Sequence, residues 1–321
     1  MTRYAATLDE VQQAAARIDG LVHRTPVITC DTLDQRSGHR LFIKCENLQR
    51  VGAFKFRGAS NAVRSLGDGL ARQGVCTHSS GNHAQALARA ARAMEIPAWI
   101  VMPTSAPAVK RRAVEGYGAT VVPCEPNLQA RETTAAEVMA DTGSTMIHPY
   151  DDPRIIAGQG TAALELLDEV GELDALVAPV GGGGLMSGSC ITMRGLSPST
   201  RLIAAEPAGA DDAARSLAAG QLIPQESPNT ICDGLLTSLG ELTWPILRDH
   251  LETIVTVDDD EVMLAMRLLW ERAKTVVEPS GATPLAAVMS KQFPLPPGSR
   301  IGVILSGGNV DLDRLPWVVG R

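Results

Sequence analysis

Hydrophobic and polar residues follow two different periods along this chain. Apolar runs at residues 75–78, 98–102, 175–180 and 300–305 are typical of buried strands, and between them apolar residues recur every three or four positions, as on one face of a helix. Strands that alternate with helices of this length pair in parallel through right-handed crossovers. The pattern therefore predicts an α/β fold with open, mostly parallel, twisted sheets flanked by helices.

Turn formers between these runs set the expected bounds of each element. Strands are predicted at residues 41–46, 75–78, 98–102, 119–122, 145–148, 175–180, 201–206, 253–257 and 300–305. Helices are predicted at residues 8–17, 56–66, 79–94, 108–115, 128–141, 154–170, 185–194, 211–219, 258–274 and 281–293. Residues 220–240 are rich in turn formers and receive no assignment. No repeat or long linker is present, so a second domain would be entered and left through short hinges.

The composition narrows the class of protein. Apolar residues make up 45% of the 321 residues and aromatic residues only 3%, which predicts an aliphatic core. The net charge of −7, without a dense face of lysine and arginine, argues against a nucleic-acid partner. No apolar run reaches membrane-spanning length, and the first 20 residues contain no apolar signal core. We therefore expect a soluble, cytoplasmic protein without a membrane partner.

The octapeptide at residues 51–58 (VGAFKFRG) places Lys55 between two phenylalanines, directly after a predicted strand. The chain contains only five lysines, so a lysine retained in an apolar segment calls for an explanation. A desolvated ammonium has a lowered pKa and can act as an amine nucleophile, as in a Schiff base with pyridoxal phosphate, whereas arginine cannot. The alternative is a lysine that buries its aliphatic stem and leaves its charged end in water.

Four loops of unusual composition follow predicted strands, at residues 53–58, 79–83, 181–184 and 306–309. Open parallel sheets bind ligands at this carboxyl edge, where loops meet helix N-termini. In the second loop, hydroxyl and N–H groups at a helix start could bind a substrate carboxylate or could only cap the helix. In the fourth, the hydroxyl of Ser306 ends a buried strand, which could equally be a plain turn.

The glycine run at residues 181–184 is the candidate phosphate-binding loop. Without Cβ atoms, backbone N–H groups can converge on an anion, and the following helix adds its positive end. Met186 and Ser187 stand where the dinucleotide fingerprint needs its third glycine, so the run suggests a single phosphate more than a dinucleotide. A flexible turn is the alternative.

Metal-ligand patterns are sparse. The six cysteines are too far apart in sequence for a metal knuckle, and we expect reduced, mostly buried thiols. The histidines form no metal pattern, and only His83 lies in one of the four loops. The segment from Glu206 to Asp212 could hold Mg²⁺ or Ca²⁺ through two carboxylates and a carbonyl, or it could be an acidic helix start stabilised by the helix dipole.

Taken in order, these loops resemble pyridoxal-phosphate enzymes of the tryptophan-synthase-β fold type, and more narrowly the serine/threonine dehydratase and serine racemase family. The resemblance covers nearly the whole chain. It rests on the motifs GAFKFRGA at residues 52–59, SSGNHAQA at 79–86, AGQGT at 157–161, GGGG at 181–184 and SGGNVD at 306–311.

The resemblance implies fold type II, in which two open sheets enclose pyridoxal 5′-phosphate in the cleft between them. It implies a large cofactor-binding domain of residues 1–70 and 149–321, and a small mobile domain of residues 71–148 that closes over the substrate. A homodimer is expected. The segment from Trp270 to Lys274 resembles the nucleotide-effector region of animal racemases, so a nucleotide effector is a further, weaker expectation.

The resemblance also assigns roles around the cofactor. Lys55 forms the Schiff base and is the base on one face of the substrate Cα, Phe54 packs beside the cofactor ring, and Asn82 contacts its phenolic oxygen. Ser306 hydrogen-bonds the pyridine nitrogen, and this hydroxyl favours β-elimination because it stabilises the pyridinium less than a carboxylate would. The phosphate is bound by Gly181, Gly182, Gly183 and Gly184.

The same resemblance assigns the substrate and metal ligands. The substrate carboxylate is held by Ser79, Ser80, Gly81, Asn82 and His83. Ser80, alanine in most threonine deaminases, is the acid/base on the face opposite Lys55. Tyr150 replaces a smaller polar residue where the substrate side chain is read, and Arg131 matches an arginine able to reach a second carboxylate. A divalent cation, Mg²⁺, Ca²⁺ or Mn²⁺, is bound by Glu206, the Ala210 carbonyl and Asp212.

The function expected from these features is dehydration of a small β-hydroxy amino acid, namely serine, threonine or 3-hydroxyaspartate, to a 2-oxo acid and ammonia. A racemase of serine or aspartate on the same scaffold is the alternative, with Lys55 and Ser80 exchanging protons on opposite faces. A third hypothesis is a non-catalytic protein that binds a phosphate ligand or carries the cofactor, and the intact loops argue against it.

Overall fold

The computed structural model describes residues 4–106 and 108–318. Its strands are β1 (Val27–Ile28), β2 (Arg40–Cys45), β3 (Val75–His78), β4 (Ala98–Pro103), β5 (Thr120–Cys124), β6 (Thr145–Met146), β7 (Ala175–Pro179), β8 (Arg201–Pro207), β9 (Thr253–Val257) and β10 (Arg300–Leu305). Its α-helices are α1 (Leu8–Ile18), α2 (Asp31–Ser37), α3 (Lys55–Arg64), α4 (Asp68–Gln73), α5 (Asn82–Ala93), α6 (Ala108–Gly116), α7 (Leu128–Thr142), α8 (Pro153–Val170), α9 (Gly184–Leu196), α10 (Asp212–Ala219), α11 (Thr243–His250), α12 (Asp259–Glu271) and α13 (Pro279–Met289).

The first sheet has six strands in the order β1-β2-β10-β7-β8-β9. Only the pair β1–β2 is antiparallel in the described chain, and the other neighbours run parallel. Every residue of β7 is buried, as are nearly all residues of β8 and β10. Helices cover both faces of this parallel sheet, so side chains on both sides of each strand are buried. The sequences of these strands are therefore continuous apolar runs rather than alternating ones.

The second sheet has four parallel strands in the order β5-β4-β3-β6, all drawn from residues 75–146. Two mostly parallel sheets flanked by helices are what was predicted, so the fold class is confirmed. Whether residues 71–148 move as a separate domain stays a prediction.

The core is aliphatic, as the composition predicts. One cluster of buried residues around Val177, Ile203 and Leu285 lies on one face of the first sheet, and a second around Leu176, Leu202 and Met186 lies on the other. All six cysteines are free thiols, and five of them are buried. Burial raises the pKa of the five buried thiols, for example that of Cys190 to about 12, which keeps them protonated and unreactive.

Three short helices were not predicted from the pattern: α2, α4 and α11. Helix α4 contains Gly69 and helix α11 contains Pro245, and both residues weaken a helical signal in sequence. Their apolar faces are too short for the period to show, so packing against the rest of the chain decides their conformation. Helix α13 begins at Pro279, where proline is compatible with a first turn, rather than at 281.

In the described part of the chain, no helix combines the length and the apolar character needed to cross a bilayer.

Candidate active site

Three of the four predicted loops meet at the carboxyl edge of the first sheet. Ala53 forms an isolated antiparallel bridge with Gly307, and the backbone N–H of Phe54 donates to the carbonyl of Ser306 at 3.0 Å. The side chain of Asn309 donates to the Oδ1 of Asn82 at 2.8 Å, which brings the 79–83 loop of the second sheet to the same place. The lysine loop therefore lies between the two sheets.

Lys55 is the first residue of α3 and is half-buried. Its Nζ donates to the carbonyl of Pro149 at 2.8 Å and lies 5.0 Å from the ring centroid of Phe54 and 6.0 Å from that of Tyr150. Burial lowers the pKa of this amine to about 8. An amine in such surroundings is deprotonated far more easily than an ordinary lysine, as a Schiff-base lysine requires.

Lys44 is also buried, but it is committed to a structural ion pair. Its Nζ donates to Glu165 at 2.6 Å and to the carbonyl of Thr25 at 2.7 Å. Lys55 has no carboxylate partner among the described residues within ion-pair distance. Both lysines stand in apolar segments of the sequence. Only the structure shows that Lys44 forms an ion pair and that Lys55 does not.

The glycine run leads from β7 into α9, and all four glycines are buried. Gly183 has φ +89° and is the N-cap of α9, a conformation that strongly favours glycine. A Cβ on Gly182 would overlap the ring of Tyr150, and one on Gly183 would meet Thr243 at 2.8 Å. Tyr150 and Thr243 therefore pack too closely for any residue other than glycine at positions 182 and 183. The backbone N–H groups of this loop lie at the N-terminus of α9, the positive end of the helix dipole.

The 79–83 loop ends β3 and opens α5. Ser79, Ser80 and Asn82 are half-buried, and Gly81 is the N-cap of α5. His83 is buried, donates from Nε2 to the carbonyl of Ile147 at 3.1 Å, and leaves its buried Nδ1 without a partner among the described residues. Burial holds the pKa of His83 well below its usual value, so the ring is neutral.

Two more histidines, not predicted from the sequence, line this region. The rings of His78 and His148 lie 5.7 Å apart, and His148 contacts Tyr150 at 4.6 Å. Burial lowers the pKa of His148 to about 4, and its Nδ1 accepts from the N–H of Asp151 at 2.9 Å. The charge of Lys55 also lowers the pKa of His83 and His148, so these imidazoles are neutral and do not raise the local positive charge.

Glu278 is a further site residue that was not predicted from the sequence. It is only 4% exposed, and it accepts from the Nδ2 of Asn82 at 2.9 Å and from the N–H of Asn309 at 3.0 Å. Burial raises the pKa of its carboxyl group to about 8. The only sequence signal was its position before Pro279, as the N-cap of α13.

Arg131 lies in the first turns of α7, at the carboxyl edge of the second sheet. Its Nε is buried and has no hydrogen-bond partner among the described residues. Its charge acts on His78, the last residue of β3, whose pKa is lowered mainly by burial and further by this guanidinium. A guanidinium with an unsatisfied, buried N–H therefore lies near His78, the residue directly before the 79–83 loop.

The predicted metal ligands lie at the end of β8 and the start of α10. Glu206 and Asp212 are fully buried and Ala210 nearly so. Glu206 accepts from the N–H groups of Ala213 and Ala214 at 3.0 and 2.8 Å, while one buried oxygen of Asp212 has no partner among the described residues. Burial raises the pKa of Glu206 to about 8 and that of Asp212 to about 6, because a charged carboxylate is costly to bury.

These residues fit a hard divalent cation, which takes carboxylate and carbonyl oxygens. A cluster of three or more histidine, cysteine, aspartate or glutamate side chains able to hold a metal is not found within residues 4–106 and 108–318. A site of two carboxylates and one carbonyl is compatible with that finding.

Comparison with known proteins agrees with this geometry. A family model described as pyridoxal-phosphate dependent enzyme matches residues 18–307. The chain is 50% identical over 314 residues to a β-hydroxyaspartate dehydratase of Paracoccus denitrificans, covering 98% of this chain and 99% of that protein. It is 52% identical over 317 residues to a serine racemase of Arabidopsis thaliana, covering 98% and 96%. The structure of maize serine racemase, 47% identical, matches with a TM-score of 0.95 and covers 98% of this chain and 97% of its own.

Proposed function

The chain belongs to the pyridoxal-phosphate-dependent enzyme family, and we propose that it dehydrates 3-hydroxyaspartate to a 2-oxo diacid and ammonia. The observation that carries this choice of substrate is the buried, unpartnered Nε of Arg131, whose charge acts on His78 directly before the 79–83 loop. A guanidinium fork suits a second carboxylate better than the methyl group or hydrogen that threonine or serine has at this position. The 50% identical β-hydroxyaspartate dehydratase supports the same substrate class.

The residues around Lys55 fit pyridoxal phosphate. The Lys55 amine, whose pKa is lowered by burial, lies 6.0 Å from the ring centroid of Tyr150. That ring packs against Gly182, in a buried glycine loop at a helix N-terminus, where a phosphate is favoured. When bound, the cofactor supplies the electron-withdrawing ring that acidifies the Cα–H of the substrate. Lys55 would bind it covalently, Gly181–Gly184 would hold its phosphate, and Phe54, Asn82 and Ser306 would surround its ring.

Lys55 also holds the proton that leaves Cα. Its pKa of about 8 gives a larger neutral fraction near pH 7 than an ordinary lysine has, so its Nζ can accept this proton. Loss of hydroxide from Cβ then removes the elements of water. After release, the unsaturated amine takes up water and yields the 2-oxo acid and ammonia.

The 79–83 loop binds the α-carboxylate of the substrate. The N–H groups at the start of α5 and the side chain of Asn82 supply donors, and the helix dipole favours negative charge there. Arg131 then binds the β-carboxylate from α7. Binding both carboxylates to the second sheet places Cα and Cβ between that sheet and Lys55.

Serine or aspartate racemisation is a second candidate function. It is favoured by Ser80, a hydroxyl in the turn that carries the proposed α-carboxylate site, and by the identity to serine racemases. Ser80 would deliver a proton to the face of Cα opposite Lys55. Homodimer formation, cytoplasmic location and a nucleotide effector also stay predictions for this chain.

The test is a substrate panel of serine, threonine and 3-hydroxyaspartate, with ammonia release and chiral inversion both measured. We expect the highest kcat/KM for dehydration of 3-hydroxyaspartate. Arg131→Ala should then lose about 1.5–3 kcal/mol of transition-state stabilisation for the diacid and much less for serine. Arg36→Ala, an exposed arginine of α2, is the matched control and should leave the panel unchanged. Equal losses on serine and 3-hydroxyaspartate would make Arg131 a structural residue and refute the diacid assignment.

A further inference from the structure

Thr243 is the first residue of α11, and its side chain reaches the glycine run at residues 181–184. The residue is fully buried, and its hydroxyl donates to the carbonyl of Gly182 at 2.9 Å. The two residues are 61 positions apart in the chain, so this contact belongs to the tertiary structure. The proposed dehydration assigns the Thr243 side chain no role.

This hydrogen bond fixes the orientation of one peptide unit in the glycine run. The peptide unit between Gly182 and Gly183 is planar and trans, so its carbonyl and its N–H point in opposite directions. Holding the carbonyl against α11 therefore turns the N–H of Gly183 away from α11. Without that anchor, a peptide between two glycines can rotate easily, because glycine populates both signs of φ.

The N–H groups of Gly182 and Gly183 are donors without a protein acceptor. Both residues are buried, and neither N–H donates to a backbone or side-chain group in the part of the chain that the structure describes. Buried backbone N–H groups in native proteins are nearly always paired. An anion at the N-terminus of α9 would accept from these groups, provided that the peptide presents them to it.

Further contacts hold Thr243 itself in place. Its hydroxyl accepts from the N–H of Gly240 at 2.9 Å. The N–H groups of Leu242 and Thr243 donate to the Oδ1 of Asp151 at 2.9 and 3.2 Å. The Thr243 carbonyl accepts from the hydroxyl of Ser187, in the first turns of α9, at 3.4 Å. The start of α11 is therefore fixed, and the hydroxyl has a defined position against the glycine run.

A local role at the start of α11 explains only part of this arrangement. The Thr243 hydroxyl also lies 3.2 Å from the carbonyl of Gly240, a contact that threonine often makes within its own turn. The carbonyl of Gly182 is the nearer acceptor, and a Cβ on Gly183 would lie 2.8 Å from the same hydroxyl. A purely local turn requires neither of these contacts with the glycine run.

We propose that Thr243 is a positioning residue for the cofactor phosphate, because it holds the Gly182 carbonyl so that the N–H of Gly183 faces that phosphate. The inference rests on the proposed function, since it takes the glycine run as the phosphate site of pyridoxal 5′-phosphate. Thr243 then contributes to the affinity for the phosphate group and not to the reaction of Lys55 with the aldehyde.

The test compares pyridoxal 5′-phosphate with pyridoxal, which has the same ring and aldehyde but no phosphate. Both are titrated into the full-length protein stripped of cofactor, and the dissociation constants are measured by fluorescence. Thr243→Val removes the hydroxyl at nearly constant volume. We expect the dissociation constant to rise about tenfold or more for pyridoxal 5′-phosphate, as for loss of a hydrogen bond to a charged group, and at most about twofold for pyridoxal.

Thr243→Ser keeps the hydroxyl and should restore the affinity for pyridoxal 5′-phosphate to within about threefold of the parent. Thr192→Val is the matched control, because Thr192 of α9 is also fully buried and its hydroxyl donates to the carbonyl of Gly188 at 2.9 Å. It should lower thermal stability as Thr243→Val does, but it should keep the parent's preference for the phosphorylated cofactor.

Thr243→Ala decides the matter if Thr243→Val does not fold. An unchanged preference for pyridoxal 5′-phosphate in the folded variant, or an equal loss of that preference in Thr192→Val, would overturn the inference and leave the proposed dehydration intact. A parent protein that binds pyridoxal as tightly as pyridoxal 5′-phosphate would instead refute the phosphate site, and with it the cofactor on which the proposed function depends.

Discussion

Glu278 shows how one buried carboxyl group organises the candidate site. It joins Asn82, from the second sheet, to the backbone of Asn309 at the end of the first. Asn82 in turn accepts from the side chain of Asn309, so its amide is held in one orientation. A residue that would contact the cofactor is therefore positioned by a group 196 positions away in the chain.

Ionisation of Glu278 should make stability depend on pH. Its pKa is raised by burial from 4.5 to about 8, so between these values the folded protein holds a proton that the unfolded chain has lost. Its contribution to stability is therefore complete below about pH 4.5 and lost as the pH rises toward 8. Glu278→Gln cannot ionise. We expect the parent to lose roughly 3–4 kcal/mol relative to this variant between about pH 5 and 8, measured by urea unfolding.

Exposed Glu271 supplies the control for this experiment. Glu271 pairs with Arg267 at the surface. The difference in unfolding free energy between Glu271→Gln and the parent should therefore hardly change with pH. A similarly constant gap for Glu278→Gln would show that Glu278 is ionised in the folded protein at every pH tested.

Ser80 separates the two candidate activities. If its hydroxyl protonates the face of Cα away from Lys55, Ser80→Ala should abolish racemisation and leave elimination from the L-substrate within about threefold. The neighbouring Ser79→Ala is the control, since the same loop would bind the carboxylate in both reactions. Parallel loss of racemisation and elimination in Ser80→Ala would mean that Ser80 only positions the carboxylate.

At the scale of an element, α3 is fixed by a buried ion network beneath the lysine loop. Arg57 donates to Glu46 at 2.7 Å and to Glu165 at 2.6 Å, and Lys44 also pairs with Glu165. Burial alone would raise the pKa of Glu165, but the hydrogen bonds and charges of Arg57 and Lys44 hold it below the usual value. The two cations and two carboxylates cancel, so the network is neutral as a unit.

Removing one member of this network should be costly. Arg57→Met leaves Glu46 buried without its guanidinium partner, and we expect a loss of about 3–5 kcal/mol in the free energy of unfolding. Arg267→Met, which breaks the exposed pair with Glu271, should cost at most about 1 kcal/mol. Chemical denaturation of both variants makes the comparison, and similar losses would contradict a structural role for the network.

At the scale of the whole molecule, the two sheets enclose the candidate site from opposite sides. Lys110 of α6 pairs with Asp233 near the first sheet at 2.8 Å, so an ion pair also joins the two halves across the cleft. The proposed cation site at Glu206 and Asp212 lies within the half built on the first sheet. A cation bound there stabilises the folded state as a whole, because the unfolded chain has no preformed site.

Metal removal should therefore lower global stability. We expect EDTA to reduce the thermal midpoint, and Mg²⁺ or Ca²⁺ to restore it by mass action, by about 2.7 kcal/mol at a concentration 100 times the dissociation constant. Asp212→Ala should not respond to either addition. Asp211→Ala, whose carboxylate pairs with Arg215 instead, should respond like the parent. An Asp212→Ala variant that still responds to EDTA would place the cation elsewhere.

Local pattern was enough to predict much of this protein. The two hydrophobic periods predict the parallel strands and the long helices, because each period follows from backbone geometry within a few residues. The strands β3, β9 and β10 have the predicted bounds. Lys55 and the glycine run could be selected because their chemistry is unusual within a short segment.

Only the tertiary structure decided which distant groups share one environment. No local signal assigns Glu278, His148 or the partners of Arg57 to these roles, since each role depends on contacts with residues tens to hundreds of positions away. The separation of Lys55 from Lys44 likewise required the position of Glu165. Burial and pKa arise from packing between elements, and the sequence pattern predicts the elements but not the distances between them.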